Sequence, residues 1–192
     1  MAAKPTGKQA GQVRIIGGRW RGRKLALAGD EVRPSADRVR ETLFNWLDPV
    51  LRGAHVLDLF AGTGVLGLEA LSRGAERALL VENSKVRAQY LREHAAKLGA
   101  SECEVLEHDA RRLLTSRGGP FDVVFLDPPF ADDDLGDLCK LLDSHGWLAA
   151  DARIYLEQDK AKGLPDLPES WELLKQKVAG QVCFGLAAKR ID

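Results

Sequence analysis

Cysteine is scarce. The three residues, Cys103, Cys139 and Cys183, are odd in number and far apart, with no CxxC pair. That excludes a disulfide framework and fits reduced thiols in a cytoplasm. Histidine is equally sparse, with four scattered residues, so a zinc site has no support and no metal is expected. No run approaches about 18 uninterrupted apolar residues, and no membrane span is expected. The opening MAAKPTGKQAGQ lacks the apolar stretch of a secretory signal, so a cytoplasmic location is expected. Net charge is missing too: 28 basic residues meet 28 acidic ones in 192. Taken whole, that disfavours a nucleic-acid partner, which usually meets a basic excess.

The total hides a division. Residues 1–40 hold ten Lys/Arg and three Asp/Glu, a balance of +7, so residues 41–192 carry −7. A basic arm on an acidic body is the simplest reading. Residues 1–12 read as a disordered tail and 13–50 as a basic hairpin followed by a helix. Residues 51–192 read as the main domain. In the arm, Val13–Ile16 and Leu25–Leu27 flank a stretch rich in Gly and Arg, which predicts a β-hairpin. Arg19, Arg21, Arg23 and Lys24 there suit phosphates, and Trp20 suits stacking on an unpaired base. An ordinary solvated basic hairpin is the plain alternative. Ser35 is placed to cap a helix over about 36–47, whose Val39, Leu43, Trp46 and Leu47 share one face. Arg33 and Arg38 flank that cap. They could approach a substrate nucleotide or a ligand carboxylate, or pair with an acid such as Glu41.

From His55 onward strands and helices alternate: HVLDLF, a helix to Gly74, ALLVE, a helix from Ser84 to Gly99, CEVLE, FDVVFLD, a helix over about 134–143, and a strand near Arg153–Glu157. That order predicts right-handed βαβ units and a mostly parallel sheet. The two extended runs around Ala179–Gly180 predict a terminal antiparallel hairpin.

The first central strand ends in Asp58-Leu59-Phe60-Ala61-Gly62-Thr63-Gly64. Glycines there allow a tight turn and close ligand approach, at the carboxyl edge where open α/β sheets bind ligands. Gly62, Gly64 and Gly67 also fit the dinucleotide spacing. However, a carboxylate at Asp58 suits a cationic ligand better than a pyrophosphate. Glu82 ends the second strand, placed to accept ribose hydroxyls, with Asn83 after it. Asp109 and Ala110 follow the third strand, where a carboxylate can meet an adenine amino group. The plain alternative for both acids is a helix cap or a solvated loop.

These residues resemble the S-adenosyl-L-methionine sites of class I methyltransferases. The resemblance implies a Rossmann-like α/β fold: a seven-stranded, mostly parallel sheet, helices on both faces, and a C-terminal antiparallel hairpin. By the same resemblance Asp58, Phe60 and the Gly62/Gly64 backbone hold the amino-acid end. Glu82 and Asn83 hold the ribose, and Asp109 and Ala110 the adenine.

The fourth strand ends in Asp127-Pro128-Pro129-Phe130. Two prolines remove two backbone donors, leaving a carbonyl and a carboxylate beside an aromatic ring. That set matches an exocyclic amine on a flat base, with Asp127 and the Pro128 carbonyl as acceptors and Phe130 as the stacking face. The motif resembles the signature of amino-group methyltransferases, whose targets include adenine, cytosine, guanine and glutamine. Taken in order, IIGGRWRGRKL, RPSADRVRETLFNWL, DLFAGTGVLGLEALSRGA and DPPF resemble the bacterial RsmD family of ribosomal RNA guanine-N2 methyltransferases. That resemblance implies methylation of guanine 966 in 16S ribosomal RNA, within an assembled or assembling small subunit; the chain itself is expected to be a monomer. Rival readings are methylation of DNA adenine or protein glutamine, and a non-catalytic RNA-binding assembly factor.

Overall fold

Alternation along the central strands decides which helices go where. Val123 and Phe125 point to one face and Val124 and Leu126 to the other, and all four are fully buried. Two apolar faces require cover on both sides. The computed structural model describes residues 11–26, 35–132 and 134–190. The expected tail therefore lies outside it up to residue 10, and Gln12 already belongs to a strand. Leu27 and Arg33 also lie outside the described residues.

Strands β1 (Gln12–Arg14) and β2 (Lys24–Ala26) pair antiparallel as the expected hairpin, with a 3-10 turn at Gly18–Trp20 between them. Helix α1 runs Ser35–Leu51, past the expected end near residue 47. Leu51 continues the apolar face one turn beyond Leu47 and is buried, which outweighs the backbone bond lost at Pro49.

The body contains β3 (His55–Asp58), α2 (Val65–Ser72), β4 (Arg77–Glu82), α3 (Lys85–Leu98), β5 (Cys103–Glu107), α4 (Ala110–Leu114), β6 (Phe121–Leu126), α5 (Leu135–Ser144), β7 (Leu148–Asp159), β8 (Trp171–Ala179) and β9 (Val182–Lys189). The sheet order is β5-β4-β3-β6-β7-β9-β8. Strands β3 to β7 are parallel; β9 runs antiparallel to both β7 and β8. This is the expected seven-stranded sheet with its terminal hairpin.

Helix α3 begins and ends as the sequence predicts. Ser84 Oγ accepts from the Arg87 N–H, and Gly99 closes the helix in the left-handed conformation at φ 66°. Helices α1, α2 and α3 share one core with the hairpin residues Ile15, Trp20 and Leu25. Helix α5 and Trp147 build the other. The short α4, capped by Asp109, was not expected. Cys103, Cys139 and Cys183 are all free thiols.

Candidate active site

The chain runs from β3 outward to β4 and β5, then crosses back to place β6 on the other side of β3. Ligands of open α/β sheets bind where the strand order reverses in this way, outside the carboxyl ends. The register brings the two motifs to that point. Asp58 stands opposite Phe125, and the Leu59 N–H donates to the Phe125 carbonyl at 3.2 Å. Asp127 follows two residues later, just past the end of β6. The glycine loop and Asp127-Pro128-Pro129-Phe130 are therefore neighbours at one sheet edge.

The loop is held from beneath by carboxylates. Asp58 is buried, and its Oδ2 accepts from the Gly67 N–H at 3.1 Å. Burial pushes its carboxyl up to about 7. The Gly67 and Phe60 backbone N–H groups oppose that shift, and nearby Glu82 adds to it. Gly62 takes φ 52° and Gly64 φ 75°, where only glycine is unstrained. An added Cβ at Gly64 would also lie 2.5 Å from Leu91 Cδ2, whereas one at Gly62 would meet only the Phe60 carbonyl at 3.8 Å. The Gly62 side of the loop is thus an open cradle.

Glu82 is buried and crowded. Its Oε2 accepts from the Gly62 N–H at 3.1 Å, and its Oε1 from the Ser84 N–H at 2.8 Å and Arg87 Nε at 3.0 Å. Asn83 Oδ1 also accepts from Arg87, at 3.4 Å. A ribose would have to share Glu82 with Arg87, a residue the sequence reading missed. Asp109 caps α4 through Oδ1, which accepts from the Arg112 N–H at 2.9 Å. Its Oδ2 carries no hydrogen bond among the described residues, and Ala110 is buried behind it.

The proline segment is braced from three sides. Lys162 Nζ donates to the Phe130 carbonyl at 3.0 Å. Arg111 pairs with both Asp132 and Asp134 and lies 5.5 Å from the Phe60 ring centroid, tying α4, the glycine loop and the segment after Phe130 together. Pro128 is buried, Asp127 half-buried, and the half-buried Phe130 packs on the α1–α2–α3 core. Tyr155 on β7 is buried and donates its hydroxyl to Glu157. Burial first, and then the negative charges of Glu157 and Asp127, hold its phenol well above the usual range.

The arm departs from expectation at Trp20. Its ring is buried in the core, so it does not offer a stacking face, and its backbone N–H donates to Ser72 Oγ at 2.9 Å. Arg19 is exposed, lies over that ring at 4.1 Å, and pairs with Glu102. Arg21, Arg23, Lys24 and Arg38 are exposed. An added Cβ at Gly18 would fall 1.9 Å from the Ser72 carbonyl oxygen, so this glycine serves close packing rather than a loose loop. The docking itself runs through Glu69, fully buried on α2. It accepts from the Ile16 and Gly17 N–H groups at 2.8 Å each, from Arg73 Nε at 2.8 Å and from Arg40 Nη1 at 3.4 Å.

The family model described as conserved hypothetical protein 95 matches residues 13–188. Ribosomal RNA small subunit methyltransferase D of Escherichia coli is 48% identical over 184 residues, covering 95% of this chain and 93% of the relative. The protein of the same name from Haemophilus influenzae is 44% identical over 181 residues, covering 92% and 93%. Among solved structures, the putative methyltransferase yhhF of Escherichia coli superposes with a TM-score of 0.89. It is 47% identical and covers 95% of this chain and 100% of its own.

Proposed function

The chain belongs to the conserved hypothetical protein 95 family, the RsmD family, and from that premise we propose that it methylates small-subunit ribosomal RNA, at the exocyclic N2 amine of a guanine presented by an assembled small subunit. The observation that carries this reading is the register of β3 against β6. It sets a carboxylate-rich glycine loop beside a carboxylate and a donor-free proline segment.

The residues of the loop fit S-adenosyl-L-methionine. Asp58 and the open cradle at Gly62 would hold its cationic amino-acid end, Glu82 with Asn83 its ribose, and Asp109 with Ala110 its adenine. Bound there, it supplies a methyl group on a positively charged sulfur, which leaves as the neutral thioether when the methyl is displaced in line.

The chain's own task is to make a poor nucleophile react. The N2 lone pair of guanine is conjugated with the ring. Asp127 and the Pro128 carbonyl accept its two N–H bonds and fix the nitrogen's direction of attack. As the N–C bond forms, positive charge grows on nitrogen, and the Asp127 carboxylate stabilises it from a fixed position. Asp127 then receives the proton, or passes it to solvent. The half-buried Phe130 ring is the apolar surface against which the base can settle. Its backbone is pinned by Lys162 and its neighbours by Arg111, so the platform is rigid before the base arrives.

Transfer from labelled S-adenosyl-L-methionine would be measured on unmodified small subunits, naked 16S RNA, duplex DNA and a glutamine-bearing protein. N2-methylguanosine in the digested subunit RNA is the expected product. A different methylated nucleoside, or label only in DNA or protein, would overturn the assignment.

A further inference from the structure

A second concave feature lies at the seam between the hairpin and α3. It is a pocket of about 320 Å³. Arg23, Lys24 and Leu25 of the hairpin form one wall, and His94, Lys97 and Leu98 of α3 form the other. Three of the six residues are cations from two separate elements, and all three are exposed. No ion pair engages them among the described residues. By contrast, Arg19 on the same hairpin is paired with Glu102, and Arg92 on the same helix donates to the Val105 carbonyl.

The inner wall is unusual. His94 is only 3% exposed; neither ring nitrogen meets hydrogen-bond geometry with a neighbour among the described residues, and the Thr63 backbone lies close enough to favour the protonated ring. A buried polar group without a partner costs about 1–3 kcal/mol, so folded proteins rarely leave one unused. Desolvation holds this imidazole below its usual pKa, so at neutral pH the ring is uncharged and keeps one donor and one acceptor. The same ring lies beside the Thr63 backbone of the glycine loop. Three unpaired cations around a concavity, with a buried donor behind them, select a tetrahedral anion carrying several acceptor oxygens.

We propose that this pocket binds a backbone phosphate of the substrate RNA, held between Arg23 and Lys24 of the hairpin and Lys97 of α3, with His94 as the donor on the inner wall. The inference rests on the ribosomal RNA reading above and extends the RNA-binding surface from the hairpin onto the body. A free phosphate has the same chemistry, and the test separates the two. The seam also explains why the hairpin is packed so firmly on α2: two walls can define one phosphate position only if their separation is fixed.

The experiment uses the full chain carrying Lys97→Glu, Arg23→Glu and His94→Phe, with Lys140→Glu on α5 as a charge-matched control. Binding to unmodified small subunits is followed across a salt series, alongside S-adenosyl-L-methionine affinity and thermal midpoint. Lys97→Glu and Arg23→Glu should each weaken subunit binding about tenfold or more and flatten the salt dependence by about one unit of slope. His94→Phe, which keeps the ring buried, should weaken binding about threefold. The cofactor affinity of Lys97→Glu and Arg23→Glu, and the Lys140→Glu control throughout, should be unaffected. In parallel, inorganic phosphate is titrated against the His94 ring resonances. A Lys97→Glu protein that binds subunits as well as the control overturns the proposal. If phosphate shifts His94 while subunit binding ignores Lys97, the pocket serves a free anion and its RNA role is overturned. If the wild-type protein neither binds nor methylates subunits, the ribosomal RNA reading falls first and the pocket's role with it. A methylating wild type beside an indifferent Lys97→Glu removes the pocket alone.

Discussion

Arg40 Nη1 and Glu69 Oε2 lie 3.4 Å apart with both side chains buried, and Glu69 also accepts the Ile16 and Gly17 N–H groups. One carboxylate therefore joins α1, α2 and the basic hairpin. The helix that carries it starts at Val65, directly after Gly64 at the end of the glycine loop. Removing one member of a buried pair leaves an uncompensated charge, which costs about 3–5 kcal/mol. Glu69→Ala should lower the urea midpoint accordingly and expose the hairpin to limited proteolysis. Glu69→Gln keeps one acceptor oxygen and should recover part of the loss. Equal stability of wild type and Glu69→Ala would refute the anchoring role.

Arg87 competes for the group that a ribose needs. Its Nε and Nη2 both reach Glu82 Oε1, at 3.0 and 2.9 Å, from a side chain that is half exposed. Glu82 is buried, but the Arg87 end is half exposed and water can take its place, so losing the pair costs about 0–1 kcal/mol. Arg87→Ala should therefore tighten S-adenosyl-L-methionine binding by up to about fivefold, measured by calorimetry. Weaker binding would instead make Arg87 part of the ligand site.

How much of this was legible in the sequence depends on how local each signal is. Ser84 and Gly99 announce α3 because a cap is decided by its own backbone neighbours. The seven strands were readable from apolar runs bounded by turns. Glu69 and Arg40 were not, because their contacts with the hairpin and with each other span 26 to 53 positions and a charged residue on a helix reads as solvated. Trp20 was misread for a related reason. Its arginine and glycine neighbours signal a surface loop, yet Gly17 and Gly18 are small so that the hairpin can lie directly on Ser72 and Arg73. Helix α4 escaped notice because five residues are too few for a periodic pattern. At the candidate site, Asp58, Gly62, Glu82, Asp109 and Asp127 were found as types at strand ends. The braces Arg87, Arg111, Tyr155 and Lys162 were not, since nothing local marks them.

Asp58 should make cofactor binding depend on pH. Its folded-state value is about 7, raised from 3.8 by burial. For a raised carboxyl, the contribution to stability is fully present below the unfolded value and is lost as pH rises through the folded one. The ligand-free protein therefore loses stability through Asp58 between about pH 4 and 7. A cationic ligand beside the carboxylate favours its ionised form and expels the proton. At about pH 6, calorimetry in buffers of different ionisation enthalpy should show more proton release from wild type than from Asp58→Asn. Using the variant as reference removes the proton lost by the ligand's own amine. Identical release by both proteins would show that Asp58 is already ionised or lies apart from the cation.

The exposed hairpin arginines make a separate prediction from the carboxylates. Arg19, Arg21 and Arg23 lie on the +7 stretch, and only Arg19 has an ion-pair partner among the described residues. Replacing all three by glutamine should lower affinity for small subunits and reduce the salt slope by two to three units, with S-adenosyl-L-methionine affinity unchanged. An equal loss of cofactor affinity would mean that the hairpin supports the body through α2 rather than contacting phosphate.

Asp127 is the residue on which the chemistry turns. It stands just past the end of β6, two positions beyond the partner of Asp58, near enough for its charge to act on the Tyr155 phenol. Asp127→Asn keeps the shape and one acceptor but loses the charge that stabilises the developing cation. Preorganised groups of this kind are worth about 10²–10³ in turnover, so a fall of that size is expected. Asp127→Ala removes the acceptor as well and should leave no measurable transfer. Binding of subunits and of S-adenosyl-L-methionine should persist in both, since neither the basic seam nor the glycine loop is touched. Single-turnover transfer on prebound subunits separates the two effects. If Asp127→Asn reacts at the wild-type rate in that assay, the carboxylate is a strand-end support and the charge that stabilises the amine lies elsewhere.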